Sequence, residues 1–484
     1  MSSSSTDSPS TSTTSFTGLI LGPLLLLLCL VTDPPAGMSE AAWSTTGMVL
    51  LMAVWWATEA IPIPATSLLP ILLIPVLGIG SLGSATSPYA NPVIFLFLGG
   101  FVIGLAMQRW NLHRRIALNI LLLMGSKPRL QIAGIMIATG FLSMWVSNTA
   151  TAIMMLPIGM SVADMLTADS TSEEDNARFM TAMLLAIAYA SSIGGIATLI
   201  GTPPNAFLAG FLSKTYGIEI GFGQWMLLGL PIAVVIMFFT WWWLTRRGFE
   251  FKNADSNVVI QEALNKLGPM SRGEKGVAVI FVLAAFAWIF RPLLADYLPG
   301  LNDTSIAIGA ALLLFITPIN LNKRVFLIDW DTAGKLPWGV LLLFGGGLAM
   351  SGVIESSGLA KWIAENMSWV ATLPGLLMVV VVVAVILGLT ELTSNAATAA
   401  TFLPLLGALA IAQGIPPEML AIPAAIAASC AFMMPVATPP NAIVFGTGHM
   451  KIQSMIKAGF ALNLASVAVI TCLCYLLIGI IWAR

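Results

Sequence analysis

Charge is scarce in this 484-residue sequence: Asp, Glu, Lys and Arg together make up 9% of it, against about 25% in a soluble domain. One buried anchor cannot explain such a deficit, because apolar stretches recur from Gly18 to Trp482. Histidine is nearly absent, with only His113 and His449, far apart in the chain. The four cysteines, Cys29, Cys430, Cys472 and Cys474, lie in apolar sequence without metal-ligand spacing or a disulfide framework. Metal-centred or histidine-based catalysis has little to work with. Net charge is −1, so no basic surface marks a nucleic-acid partner.

Hydrophobic residues, by contrast, form 58% of the chain. Residues 224–245, 276–297, 369–390 and 458–482 are the clearest stretches of the roughly 20 residues that cross a bilayer core as helix. The 43 glycines and 28 prolines are costly in soluble helices but tolerated in membrane ones. Residues 1–16, mostly Ser and Thr, have no hydrophobic face and are expected to be disordered. The run Gly18 to Val31 lacks the basic n-region of a signal peptide and reads as a first transmembrane helix. The expected class is an all-α polytopic membrane protein in the inner (plasma) membrane, with the lipid bilayer as its constant partner.

The longest polar interruption, Arg246 to Lys275, carries six Lys or Arg against four acids and is therefore placed in the cytoplasm. It divides the chain into a first helix plus repeat 1 (17–247), a linker (248–275) and repeat 2 (276–484). The halves resemble each other. SNTATAIMMLP begins at Ser147 and SNAATAATFLP at Ser394, 247 positions later. The same offset relates Phe97, Gly99 and Gly100 to Phe344, Gly346 and Gly347, and Ile116-Ala117 to Ile363-Ala364. GTPPNA at 201–206 recurs as ATPPNA at 437–442. Duplication is typical of secondary transporters, whose sites form at the repeat interface. Duplication for packing alone would not require a Ser-Asn pair in each half. Hydropathy leaves open whether 46–79 and 130–165 are each one span or two.

Ser, Asn and Thr compete with the backbone for hydrogen bonds and favour helix starts. Ser147-Asn148-Thr149 and Ser394-Asn395 each precede an apolar stretch, so each reads as a turn launching a half-helix inside the bilayer. Broken backbone at that depth is tolerated only inside protein or along a wet cavity. A helix start offers unpaired N–H groups and partial positive charge, and two starts facing one cavity would hold both ends of a dicarboxylate. A single pair would read as helix–helix glue; matched pairs favour a site. Thr202-Pro203-Pro204-Asn205 and Thr438-Pro439-Pro440-Asn441 should break helices. They would leave carbonyls suited to Na⁺, or else act as packing kinks. Ser143 and Thr390 each place a hydroxyl four residues before the Ser-Asn turn. Glu59 and Glu391 are acids in apolar sequence, read either as a proton or cation relay or as structural acids. Trp241 to Trp243 read as an interfacial anchor.

The paired SNT-type and PPN elements, TEAIP at Thr58 to Pro62 and SSIGGIATLIGTPPNA resemble the divalent anion/sodium symporter family over nearly the whole chain after the first helix. That resemblance implies two inverted repeats, about eleven transmembrane helices and two re-entrant helical hairpins. It also implies a homodimer with a scaffold and an elevator-type transport domain. It would place one sodium site on Ser143, Ser147, Asn148 and Gly201, and a second on Thr390, Asn395 and Ala437. The anion would meet Asn148, Thr149 and Asn395, with Thr202, Pro203, Thr438 and Pro439 nearby. At Ala396 the second motif would have threonine, so one hydroxyl contact is missing. The implied activity is sodium-coupled import of a C4-dicarboxylate such as succinate, malate or fumarate. A sodium-independent exchanger, or citrate or sulfate as substrate, is the alternative on the same scaffold; a membrane-embedded enzyme or a channel is the rival class.

Overall fold

The computed structural model describes residues 13–168, 172–249, 251, 257–295, 297–366 and 374–482. Apart from one short ribbon, Pro318–Asn320 against Val325–Phe326, these residues form helices and their connections. Eight helices are long and apolar enough to cross a membrane: Thr14–Val31, Leu82–Arg109, Asn148–Thr167, Glu173–Ile196, Phe222–Thr245, Trp338–Ser356, Asn395–Ala412 and Ile452–Ile481. Four shorter apolar segments accompany them: Ile63–Val76, Asp303–Ile316, Gly375–Thr390 and Glu418–Ala427. The protein is a polytopic helical membrane protein. Peripheral long helices carry an exposed apolar face. On Phe222–Thr245, Leu227, Val234, Phe238 and Trp242 are exposed, while Trp225, Leu228, Ile232 and Ile236 are fully buried. In water such a stripe would be a liability; in hydrocarbon it is the solvent-facing side.

Several boundaries differ from the sequence reading for local reasons. The first helix begins at Thr13, inside the expected 1–16 tail, and residues 1–12 lie outside the described residues. Its first turn is tied down where Ser15 Oγ donates to Glu59 O at 3.1 Å. The 276–297 span is the helix Arg272–Ile289, which stops at Phe290. Pro292 has no N–H to give the carbonyl four residues back. The 369–390 span is described only from Pro374 onward, as the helix Gly375–Thr390. The 46–79 region is two segments, Glu40–Thr58 and Ile63–Val76. The linker contains a helix of its own, Asn257–Leu267.

The 130–165 region is also two helices, Pro128–Ser143 and Asn148–Thr167, packed on each other as a hairpin whose tip is the Ser-Asn turn. Repeat 2 builds the same hairpin from Gly375–Thr390 and Asn395–Ala412. Each hairpin is followed by a broken helix. Glu173–Ile196 gives way at Ala197 and resumes at Pro203–Tyr216; Glu418–Ala427 gives way at Ala428 and resumes at Pro439–Phe445. Proline supplies the restart in both, because its missing N–H is an orphan at a first helical position anyway.

These four pieces interlock crosswise. The helix Asn148–Thr167 packs on Pro439–Phe445 from the other half, and Asn395–Ala412 packs on Pro203–Tyr216. The centre of this arrangement is Glu173–Ile196, whose side chains from Phe179 to Ile196 are buried without exception apart from Thr181. Its Gly194 crosses Gly140 of the first hairpin so closely that a Cβ there would lie 2.6 Å from Gly140 Cα. The motifs of one repeat are thereby held against those of the other.

Candidate functional site

The first Ser-Asn turn begins with Ser147, the N-cap of Asn148–Thr167, whose hydroxyl accepts from Ala150 N–H at 3.4 Å. Asn148, at the helix's first position, turns its carboxamide inward. With Oδ1 directed into the break, it accepts from Ser143 Oγ at 2.7 Å while facing the carbonyl oxygens of Gly201 and Ser191. With the amide reversed, its nitrogen donates to Gly201 O at 3.2 Å, Ser191 O at 3.1 Å and Ser143 Oγ at 2.7 Å. Ser143 Oγ lies 2.6 Å from Ser191 O and donates to it while accepting from the Asn148 nitrogen. Three or four oxygens converge here. The second orientation is the satisfied one, because it sets the amide nitrogen rather than the amide oxygen against these acceptors. The oxygens of Ser143, Ser191 and Gly201 that converge here are of the hard kind that suits a small cation.

The second half repeats the construction. Thr390 Oγ1 lies 2.8 Å from Asn395 Oδ1 and donates to Ala428 O at 2.7 Å. Hydroxyl, asparagine and break carbonyl thus recur in the same relation. Ser394 is the N-cap, and Ala396 follows Asn395, half-buried in the first turn of the helix.

The two breaks keep their backbone satisfied by means the sequence reading only partly found. Asn205 Nδ2 donates to the carbonyls of Gly195, Ile196 and Thr198 at 3.1, 3.2 and 2.8 Å. Asn441 Nδ2 donates to Ala431 O and Met434 O at 3.2 and 3.0 Å. The asparagine of each Pro-Pro-Asn element therefore holds carbonyls that were expected to be left for a cation. Its own Oδ1 is buried without a hydrogen-bond partner in both halves, as are the hydroxyls of Ser192, Ser429 and Thr202. Thr438, in contrast, caps its helix by accepting from Asn441 N–H at 3.4 Å. Unpartnered buried oxygens at matched positions fit a site for small cations.

Glu391 is held by a full set of hydrogen bonds at the tip of the second hairpin. Its carboxylate accepts from the backbone N–H groups of Phe432, Met433 and Met434 at 2.8 to 3.1 Å, and from Asn463 Nδ2 at 2.7 Å. Three successive N–H groups around one anion form a nest. It pins the second hairpin to the second break and to the last helix, next to Thr390. Glu59 lies elsewhere: it is exposed at the left-handed end of Glu40–Thr58, with φ 47°.

The sequence of the region 13–484 matches the family profile described as the sodium:sulfate symporter transmembrane region. The chain belongs to that family. The sodium-dependent dicarboxylate transporter SdcS of Staphylococcus saprophyticus is 44% identical over 473 residues, covering 95% of this chain and 91% of the relative. SdcS of Staphylococcus aureus strain USA300 is also 44% identical, over 474 residues. Two solved structures share the fold at low identity. MtrF of Neisseria gonorrhoeae, from a class of antimetabolite efflux pumps, has a TM-score of 0.58 at 13% identity, covering 95% and 94% of the two chains. The YdaH transporter of Alcanivorax borkumensis has a TM-score of 0.57 at 14% identity, covering 97% and 99%.

In this symporter-family chain the structure brings Ser143, Asn148 and Gly201 together in one cluster and Thr390 with Asn395 in another. Thr149 follows Asn148, half-buried, at the helix start. Thr202 and Thr438 are N-caps of the restarting helices, with Pro203 and Pro439 at their first positions. Ala437 is buried at the end of the second break, and its N–H bonds to Met434 O at 3.2 Å. The carbonyls of Ser191 and Ala428 complete the clusters. No residue type announces a carbonyl; only the matched placement of the breaks could have pointed to them.

Asn148→Ala and Asn395→Ala are each expected to reduce substrate uptake to the level of empty vesicles, with membrane insertion and monodispersity in detergent unchanged; wild-type uptake in either variant removes that residue from the site. Glu391→Gln keeps the side chain's shape but sets an NH₂ against N–H donors. It should destabilise the fold by about 2 kcal/mol, read as a lower melting temperature in detergent, and an unchanged melting curve contradicts the pinning role.

Proposed function

We propose that this chain is a secondary active transporter importing C4-dicarboxylates with sodium. One observation carries the reading: a hydroxyl, an asparagine and a carbonyl of the adjoining broken helix meet at the start of a membrane-embedded half-helix, once in each repeat. Each helix start supplies partial positive charge and N–H donors to an anion, and each neighbouring oxygen cluster takes a small cation. A dianion in hydrocarbon is prohibitively costly alone. Two monovalent cations in the flanking clusters cancel its charge, which makes binding of anion and sodium interdependent. That the relatives at 44% identity are named sodium-dependent dicarboxylate transporters supports the same assignment.

In this proposal Ser143, Ser147, Asn148 and Gly201 form the first sodium site, Ser147 also fixing the helix start, and Thr390, Asn395 and Ala437 form the second. Asn148 and Thr149 face one carboxylate of the substrate. Asn395 and the backbone at Ala396 face the other, with Thr202, Pro203, Thr438 and Pro439 closing the site. Transport proceeds by alternating access, in a homodimer whose interlocked hairpins and broken helices move together as an elevator past a scaffold.

The purified protein in proteoliposomes should take up radiolabelled succinate several-fold faster under an inward sodium gradient than under an equal potassium gradient. Uptake indifferent to sodium would reject symport and favour exchange. Ala396→Thr restores a hydroxyl at the second helix start and should change the order in which malate, citrate and sulfate compete with succinate; an unchanged order separates that position from substrate choice.

A further inference from the structure

Away from the Ser-Asn clusters, a cavity of about 600 Å³ opens between the start of Glu173–Ile196, the end of Phe222–Thr245 and the turn that leads into Ile452–Ile481. Its walls carry Arg178, Arg246, Arg247, Lys451 and Lys457, with His449 beside them; Glu174 is the one acid among its lining residues. Two of the cations are committed. Arg178 pairs with Asp175 at 2.7 Å and donates to Gly248 O at 2.9 Å. Arg246 donates to Trp243 O at 2.8 Å and lies 3.4 Å over the Trp243 ring. Arg247, Lys451 and Lys457 are exposed and have no hydrogen-bond or ion-pair partner among the described residues. Three like charges around one concavity repel one another unless an anion sits between them.

Two further features converge on the same place. The 30-residue helix Ile452–Ile481 starts at the cavity with Lys451 as its N-cap and no side-chain cap bond, so its first N–H groups and dipole point toward an occupant. The cavity also lies at the interface, where Trp243 and Leu244 form part of its wall, on the linker side that the excess of Lys and Arg places in the cytoplasm. Immediately beyond the cations both flanking helices become lipid-facing. Trp242 and Phe238 on one are 45% and 64% exposed; Phe460 and Leu464 on the other are 55% and 58% exposed. These helices pack on each other and have their Arg246 and Lys451 ends together at the cavity.

We propose that this cavity binds the phosphodiester headgroup of an anionic phospholipid from the cytoplasmic leaflet. The phosphate sits among Arg247, Lys451, Lys457 and the helix start, and the acyl chains lie along the apolar faces above. A free anion would use the cations but leave the adjoining apolar faces without a role; a phospholipid uses both. The site bears on transport through the last helix, whose Asn463 holds Glu391 at the tip of the second hairpin.

Native mass spectrometry of the full-length protein from mixed micelles tests this. Wild type should retain phosphatidylglycerol in preference to phosphatidylcholine by at least about tenfold, since each basic side chain near such a headgroup contributes several-fold in affinity. The variant Arg247→Gln, Lys451→Gln, Lys457→Gln should lose the preference, and the charge-keeping variant Arg247→Lys, Lys451→Arg, Lys457→Arg should retain it. Inorganic phosphate at matched ionic strength should not displace the lipid. Equal retention of the two lipids by wild type, or undiminished preference in the glutamine variant, overturns the proposal. Displacement by inorganic phosphate reassigns the cavity to a soluble anion and overturns it likewise. Because lipid retention is read without transport, sodium-independent uptake would leave the result intact.

Discussion

Hydrocarbon offers no hydrogen bonds, so a helix interrupted inside a membrane must find substitutes for every backbone partner it gives up. This chain interrupts two helices and tips two hairpins, and the rest of the site follows from how those losses are made good. The two repeats share one solution and differ in another. In the first, donors meet orphan carbonyls: Asn205 serves three, and Thr198 Oγ1 donates to Met144 O at 2.5 Å. In the second, Asn441 likewise serves two carbonyls, and the carboxylate of Glu391 gathers three N–H groups as well. Position 144, which corresponds to Glu391 by the 247-residue offset, is methionine. The repeats are thus alike in outline and unlike in charge. A fixed negative charge stands beside the second cluster alone.

That difference has an electrostatic reading. A cation entering the second cluster meets Thr390 and Asn395 next to a formal anion, although that anion is already held by backbone dipoles and Asn463. A cation entering the first meets only neutral oxygens, those of Ser143, Ser191 and Gly201 around Asn148. Two sites of similar geometry therefore differ in field, and in low-dielectric surroundings a nearby full charge outweighs small changes in ligand distance. In the proposed transporter the two clusters would therefore fill in sequence, both being occupied once the anion is held.

Much of this architecture was legible in the sequence because it rests on residues with distinct backbone habits. Ser147 and Ser394 were readable as helix starts, and Pro203 and Pro439 as restarts, since few residues substitute for serine as a cap or proline at a first position. The duplication then turned weak local signals into a paired one. Three things were not legible. The carbonyls of Ser191 and Ala428 belong to backbone, which any side chain permits. The donor role of Asn205 and Asn441 depends on which end of an amide faces the break, and sequence does not record this. The partners of Glu391 are backbone N–H groups some forty residues away, and only the fold brings Phe432 to Met434 to its carboxylate. Boundaries slipped for ordinary reasons as well, as at Phe290, where the helix stops just before Arg291-Pro292.

The tips of the two hairpins are seated very differently. Trp145, in the first, is 6% exposed in an aromatic pile with Phe222, Phe281 and Trp288, the ring centres 4.9 to 6.4 Å away. Its counterpart by offset, Leu392, is 71% exposed. Withdrawing the first tip strips a large indole of its neighbours, at a cost of roughly 3 kcal/mol or more, whereas the second is fastened next door by the hydrogen bonds of Glu391. One jaw is consequently clamped by rings and the other by a carboxylate, and the second can be unfastened by changing the charge of one side chain without changing its size.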